Sequence, residues 1–133
     1  MAENIISFKA SGNISPSRFV TLSGAYQVAQ VSAGTQPILG VAQEGTKYAP
    51  LQDLAPNAYA AEAGNPVDVY VTGSVCLVEA GAAVAAGVWL GADSQGRAIA
   101  ATTAAHVGGI SLDAASAAGE KIRIFVQPYK YPG

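Results

Sequence analysis

The stretch VDVYVTGSVCLVEA, residues 67–80, carries the strongest strand signal in the chain. Valines alternate with polar residues in its first part, and the alternation resumes after a Gly-Ser pair. A period of two places successive side chains on opposite faces of a sheet. Because glycine accepts the positive φ that tight turns require, Gly73–Ser74 predicts a two-residue hairpin turn between two strands.

Short strand-like runs recur on both sides of this stretch. They are RFVTLSGAYQVAQVS from residue 18, PILGVAQEG from residue 37, HVGGISLD from residue 106 and KIRIFVQ from residue 121. Turn residues separate the runs, and no internal repeat of fixed period is found. About eight to ten short strands predict an all-β fold, a compact β-sandwich or barrel with little helix.

The segment EAGAAVAAGVWLGADSQGRAIAA, residues 79–101, looks helical only at its start. Its alanine run lies between two glycines and is too short to form a helix alone in water. VWLGA and RAIAA predict two short strands around the loop DSQG, in which Asp93 caps the turn and Gly96 takes the left-handed position. Small side chains suit a place where neighbouring backbones pass closely.

The 133 residues predict one β domain with two extensions. Residues 1–16 are expected to form an extended N-terminal arm or an edge strand, and residues 17–127 the single β domain. Pro128 is expected to end the last strand, which leaves residues 128–133 as a C-terminal tail.

Composition excludes several classes of function. Only 12% of residues are charged, about half the usual share, and the net charge is −2 without any basic stripe, so nucleic acid is not an expected partner. No apolar run approaches the roughly 18 residues of a membrane helix, and the N-terminus does not resemble a signal peptide. We therefore expect a soluble protein made in a cytoplasm, without a membrane partner. A low-charge surface favours contact with other proteins.

Residues that could carry chemistry are few, and neither a cofactor nor a metal is expected. The single histidine, His106, precedes an apolar strand, and the single cysteine, Cys76, lies among apolar residues. Either could serve catalysis, but a strand-edge histidine and an inert core thiol are the simpler interpretations. Without a catalytic or metal-binding motif, the sequence does not predict an enzyme.

Large apolar and aromatic side chains are the better candidates for function. In the predicted arm, large apolar side chains are the positions of an extended segment that are expected to contact a partner. In the Pro-rich segment between residues 48 and 59 they belong to a long loop, which is usually functional or laid over a partner. Trp89 suits a core position or an interface anchor, and aromatics on a terminal tail suit an interface. The predicted contacts with a capsid or a neighbouring subunit are Ile5, Ile6, Phe8, Tyr48, Tyr59, Trp89, Tyr129 and Tyr131.

The C-terminal half resembles the small capsid decoration, or cement, proteins of tailed bacteriophages. The resemblance is carried by the Gly-Ala segment at residues 81–87, the strand at 89–90, and the Asp-x-x-Gly-Arg turn that starts at Asp93. It continues in the endings at residues 107–112 and 119–126, and the hairpin pattern before them also matches.

The resemblance implies a β-tulip-like domain on the outside of an expanded capsid. It implies a structural virion protein that binds the major capsid protein, forms homotrimers at local three-fold positions and clamps neighbouring coat subunits. No catalytic residues are implied. The alternative is a glycan- or host-surface-binding β module displayed on a virion or fibre, in which Tyr59, Trp89 and Tyr131 stack on sugar rings.

Overall fold

The structure of the chain, a computed structural model, describes residues 5–15, 17–32, 36–42, 63–64, 66–101 and 106–130. Across these ranges it contains ten β-strands and no helix, so the predicted all-β class is confirmed. In chain order the strands are β1 Ile5–Ala10, β2 Phe19–Gly24, β3 Gln27–Gln30, β4 Gly40–Ala42, β5 Pro66–Tyr70, β6 Val75–Glu79, β7 Trp89–Ala92, β8 Ala98–Ala100, β9 His106–Ser111 and β10 Lys121–Lys130.

The strands form two units of five strands each. The first five pair in the order β1-β3-β2-β4-β5 and close into a barrel, called here the N-terminal barrel. The last five pair in the order β6-β10-β9-β7-β8 and are called the C-terminal sheet. The barrel is closed by a parallel pairing of β1 with β3, and its other pairings are antiparallel.

The alternating stretch at residues 67–80 does form two strands, but the predicted hairpin between them is wrong. β5 pairs with β1 and β4 in the barrel, whereas β6 pairs with β10 in the C-terminal sheet. Between them the Ser74 N–H donates to the Val71 carbonyl over 3.1 Å, and Gly73 adopts a φ of 93°. The turn thus passes the chain from one unit to the other. Alternation identifies the buried face of a strand and carries no information about its partner.

The two units share strand order and register, so the C-terminal sheet is an opened copy of the N-terminal barrel. β1 and β5 place Ile5 opposite Tyr70, and β6 and β10 place Val75 opposite Phe125. In both units one further contact is parallel, between β1 and β3 and between Ala80 and β8. Two more matching pairs are Phe19–Val41 with Trp89–Ile110, and Leu22–Val28 with Ala92–Ala98.

Backbone details repeat together with the registers. Residues 5–31 align with residues 75–101 without a gap, and backbone hydrogen bonds recur at aligned positions. Within these aligned ranges positive φ recurs as well, with non-glycine residues in the first range and glycines in the second. The aligned pairs with positive φ are Ser17 with Gly87 and Tyr26 with Gly96.

The repeat is invisible in the sequence. Over the aligned 5–31 and 75–101 ranges, Ala10 and Ala80 are the single identical pair. Burial and apolar character are retained at several interior positions, for example Ile14 and Val84, but the residue types differ. The expectation that the chain has no internal repeat is therefore wrong for the structure, although it is correct for the sequence.

The units differ at the place where the barrel closes. In the N-terminal barrel the Lys9 N–H donates directly to the Tyr26 carbonyl over 2.8 Å. In the C-terminal sheet the corresponding strands are separated there, and residues 17–19 of the barrel bond to both of them. The Glu79 N–H donates to the Ser17 carbonyl (2.9 Å), and the Gly96 carbonyl accepts from residue 19 (2.8 Å). The first unit is thereby built into the wall of the second.

Arg18 reinforces this junction with its side chain. One guanidinium nitrogen donates to the Gln95 carbonyl over 2.8 Å, and another lies 3.3 Å from the Glu79 carboxylate. The Gln30 side chain donates to the same Gln95 carbonyl over 2.9 Å. The loop between β7 and β8 is thus fixed to the barrel by polar contacts as well as by its backbone.

The described residues form two hydrophobic cores. The smaller core lies inside the N-terminal barrel and contains Val20, Val67 and Val69. The larger core fills the C-terminal sheet and also includes side chains from the outside of the barrel, among them Phe19 and Val41. Burial of one such phenylalanine contributes about 1.5–3 kcal/mol. The two units are therefore joined by a shared core.

The two ends of the described chain are built into sheets. β1, in the segment expected to form an arm or an edge strand, is paired on both sides, with β3 and with β5. β10 continues through Pro128 to Lys130, so the expectation that Pro128 ends the last strand is wrong. The register with β9 shifts between Val126 and Tyr129, and such an irregularity tolerates a residue without an N–H donor.

Candidate interaction surfaces

One end of the N-terminal barrel exposes apolar side chains. Ile6 lies opposite the interior residue Val69, and Leu22 lies opposite the interior residue Val28, so both belong to the inner face of the barrel. They are nevertheless 46% and 56% exposed. Three partly buried apolar residues beside them pack against the barrel core. This surface, called the barrel opening, consists of Ile6, Phe8, Leu22, Leu39 and Val71.

Tyr26 adds an aromatic ring in the turn between β2 and β3. Its side chain is 77% exposed, and its backbone adopts a φ of 56°. A positive φ at a bulky residue is strained and persists where the surroundings impose it, often at functional positions. Here its carbonyl accepts the hydrogen bond from Lys9 that closes the barrel.

A second apolar surface crosses the outer face of the C-terminal sheet. Four aligned residues on four neighbouring strands form one row, in the order Val75, Phe125, Ile110 and Trp89. All four are partly buried, while the residues that alternate with them on β6, β7 and β10 lie in the core. This row is called the sheet face. Aromatic and β-branched neighbours across strands stabilise each other, so the row also contributes to the stability of the sheet.

The next row along the same sheet mixes apolar and charged residues. Arg123 lies opposite Leu77 on one side and bonds through its carbonyl to Leu112 on the other. Leu77 and Leu112 are 46% and 43% exposed. The Arg123 guanidinium contacts the carboxylate of Asp113 at 2.9 and 3.0 Å. Hydrogen bonds from the Arg123 side chain and backbone lower the pKa of Asp113 to about 2.

The eight residues predicted from the sequence as contacts fall in four groups. Ile5, Ile6 and Phe8 lie on β1, where Ile6 and Phe8 belong to the barrel opening and Ile5 is 41% exposed on the outside. Trp89 lies in the sheet face. The backbone of Tyr129 pairs with Val107 in β10. Three further predicted contacts, Tyr48, Tyr59 and Tyr131, lie outside the described residues.

Sequence reasoning missed most members of both surfaces. Leu22 and Leu39 looked like ordinary strand residues, and Tyr26 looked like a residue within a strand run. Ile110 and Phe125 were recognised as strand residues without an assigned role. The sequence did contain one signal for this surface, Phe125 in KIRIFVQ. It alternates with the apolar residues of the strand and so shares a face with Lys121, Arg123 and Gln127, where a polar residue is expected.

The two candidates for chemistry lie on different strands of the C-terminal sheet. Cys76 lies on β6 with its side chain in the larger core, and His106 begins β9. Among the residues that the structure describes, no group of three His, Cys, Asp or Glu side chains is arranged to hold a metal ion. The described part of the chain also forms no helix that is long and apolar enough to cross a membrane.

Comparisons with known proteins agree with this structural picture. Residues 2–126 match the family model described as phage cement protein. Among solved structures, the N-terminal base of the head fibre protein gp8.5 of bacteriophage phi29 is similar in fold. The TM-score is 0.63 at 15% sequence identity, with 95% of each chain covered. No curated protein sequence matches the chain.

Proposed function

The chain belongs to the phage cement protein family, and from this premise we propose that it binds the outer surface of a phage head. There it stabilises the expanded shell by clamping neighbouring subunits of the major capsid protein. It does so as homotrimers at local three-fold positions, after synthesis in the host cytoplasm. The chain itself is a structural virion protein, and its family is one of structural phage proteins.

The observation that carries this proposal is a pair of apolar surfaces, one exposed and one partly exposed, on a body with few charges. The barrel opening and the sheet face lie on different units, so the molecule presents a contact surface on each half. A stable protein–protein interface buries about 1,600 Å², and the contact is repeated at every site on a shell. With 12% charged residues, such contacts depend only weakly on ionic strength.

The edge of the C-terminal sheet supports contact with the coat protein. β6 is an edge strand that bonds to β10 through Cys76 and Val78, so the N–H and C=O groups of Val75 and Leu77 point away from the sheet. No proline or charge protects this part of the edge. Extended segments of partner proteins add to such edges, with apolar side chains giving further area. Leu77 and Leu112 provide that area.

A comparison of two charge-introducing variants tests this assignment. Leu77→Asp places a charge on the proposed coat-binding edge, and Ala83→Asp places the same charge on an exposed loop as a control. Co-sedimentation with expanded heads should show at least a tenfold weaker affinity for Leu77→Asp, which corresponds to about 1.4 kcal/mol. The control should bind as the natural protein does. Equal binding by all three proteins would reject the edge as the coat contact.

A further inference from the structure

The contact between the two units inside the chain joins unlike surfaces. The barrel contributes its outer row, in which Phe19 and Val41 are fully buried and Tyr70 packs against the same core. This row covers the open end of the C-terminal sheet. Gly108 shows the fit, because a Cβ atom there would overlap the Phe19 ring.

The structural repeat shows where the same two kinds of surface occur again. The outer row of the C-terminal sheet is the sheet face, since Trp89, Ile110 and Phe125 occupy the registers of Phe19, Val41 and Tyr70. The barrel opening is the part of the N-terminal barrel that corresponds to the covered open end of the C-terminal sheet. Its residues Ile6 and Leu22 occupy the positions of Cys76 and Ala92 in the second unit. Each kind of surface thus has one copy in the contact between the two units and a second copy that is at least partly exposed.

We propose that the sheet face of one copy of this chain packs against the barrel opening of a second copy. The contact repeats between molecules the kind of contact that already joins the two units within each molecule. This inference rests on the proposed homotrimer and assigns the surfaces that form it. A head-to-tail contact of this kind closes into a ring when its rotation permits, and otherwise extends into a filament.

The side chains set the form of this contact. The covered opening in the C-terminal sheet carries small residues, Cys76, Ala92 and Gly108, so that the Phe19 ring enters it. The exposed opening carries Ile6 and Leu22, which fill more of the space themselves. The partner ring therefore lies across the barrel opening instead of entering it.

The backbone insertion is also not repeated between copies. The barrel is already closed by the Lys9–Tyr26 hydrogen bond at the place where the C-terminal sheet admits residues 17–19. The position of Arg18, which anchors the junction within the chain, is occupied by Val88 in the repeat. The contact between copies is thus apolar and weaker than the one within the chain, which suits assembly on a shell.

Complementing variants test the head-to-tail arrangement in solution without heads. Phe125→Asp removes the sheet face but keeps the barrel opening, and Leu22→Asp does the opposite. We expect sedimentation velocity to show self-association of the natural protein at concentrations up to about 1 mM. A dissociation constant of about 1 mM corresponds to a binding free energy of about 4 kcal/mol. Each variant alone should be monomeric, and a mixture of the two should form dimers with one intact contact. Ala83→Asp should behave as the natural protein does.

Any of three results would overturn the inference. The natural protein could stay monomeric at the highest concentration, or each variant could still self-associate alone. The third such result is a mixture of the two variants in which no dimer forms. Thermal melts establish that each variant is folded, and Ile110→Lys replaces Phe125→Asp if the latter has no cooperative melt. Binding to heads is measured separately. A protein that binds heads without this self-contact would reject the inference and leave the proposed function intact.

Discussion

The backbone N–H of Phe19 donates to the carbonyl of Gly96 over 2.8 Å, and this bond joins the N-terminal barrel to the C-terminal sheet. Gly96 belongs to the Asp-x-x-Gly-Arg turn, which Asp93 organises by accepting from the N–H groups of Gln95 and Arg97. Asp93 also pairs with the Arg97 guanidinium at 3.0 Å. The motif that resembles cement proteins is therefore the loop that fixes one unit to the other.

Replacing Gly96 by alanine should weaken this junction. Gly96 has a φ of 75°, and its added Cβ would lie 3.0 Å from the Gln30 side chain and 3.1 Å from the Phe19 carbonyl. Gly87→Ala is the matched control, since its φ is 80° and nothing lies within 4 Å of the added Cβ. We expect a loss of about 1–2 kcal/mol for the control from backbone strain alone. Denaturant unfolding should show a clearly larger loss of unfolding free energy for Gly96→Ala. Equal losses in the two variants would contradict the role of Gly96 in the junction.

Gly108→Ala should destabilise the shared core by overpacking. The added methyl group would meet the Phe19 ring, and forced packing of this kind costs about 1–3 kcal/mol. Phe19→Leu in the same chain should recover part of the loss, because the smaller side chain vacates the space. Gly12→Ala, with nothing within 4 Å, is the control. Additive losses in the double variant, measured by thermal unfolding, would show that the two residues do not compete for space.

The Arg18–Glu79 ion pair should contribute to the junction in a measurable way. Both side chains are mostly shielded from water, with 15% and 21% of their area exposed. A double-mutant cycle with Arg18→Met and Glu79→Gln should give a coupling energy of about 1 kcal/mol, between the values of exposed and buried pairs. A coupling energy indistinguishable from zero would show that this ion pair does not stabilise the junction.

Asp113 should titrate well below the ordinary range for aspartate. Hydrogen bonds from Arg123 lower its pKa from 3.8 to about 2. Because the folded pKa is the lower one, the pair stabilises the fold above about pH 4 and this contribution is lost as the pH falls toward 2. NMR titration of the carboxyl carbon should give a pKa near 2, and Arg123→Gln should return it toward 3.8. An unchanged pKa in that variant would reject Arg123 as the cause.

The sequence predicted the strands better than their partners. Alternation located β5, β6 and β10, and the DSQG loop has the turn residues that the structure uses. Pairing depended on long-range contacts, so residues 67–80 suggested a hairpin where the structure has a boundary between two units. The repeat was hidden because aligned positions share strand register while their residue types differ, as Phe19 and Trp89 illustrate.

The candidate surfaces were predictable only in part, for a related reason. Trp89 and the apolar residues of β1 stand out by size and position. Leu22 and Phe125 do not, because their exposure follows from which surface is covered by the other unit. Phe19 and Trp89 have the same register, yet one is in a core and the other is on a surface.

The most direct test of the account is co-sedimentation of the purified protein with expanded heads of its own phage that lack it. The account predicts saturable binding, at a copy number set by the local three-fold sites, and a higher temperature of head rupture after binding. Absence of binding, with heads that rupture at the same temperature with and without the protein, would contradict it. A positive glycan-binding assay together with that result would favour a surface-binding module instead.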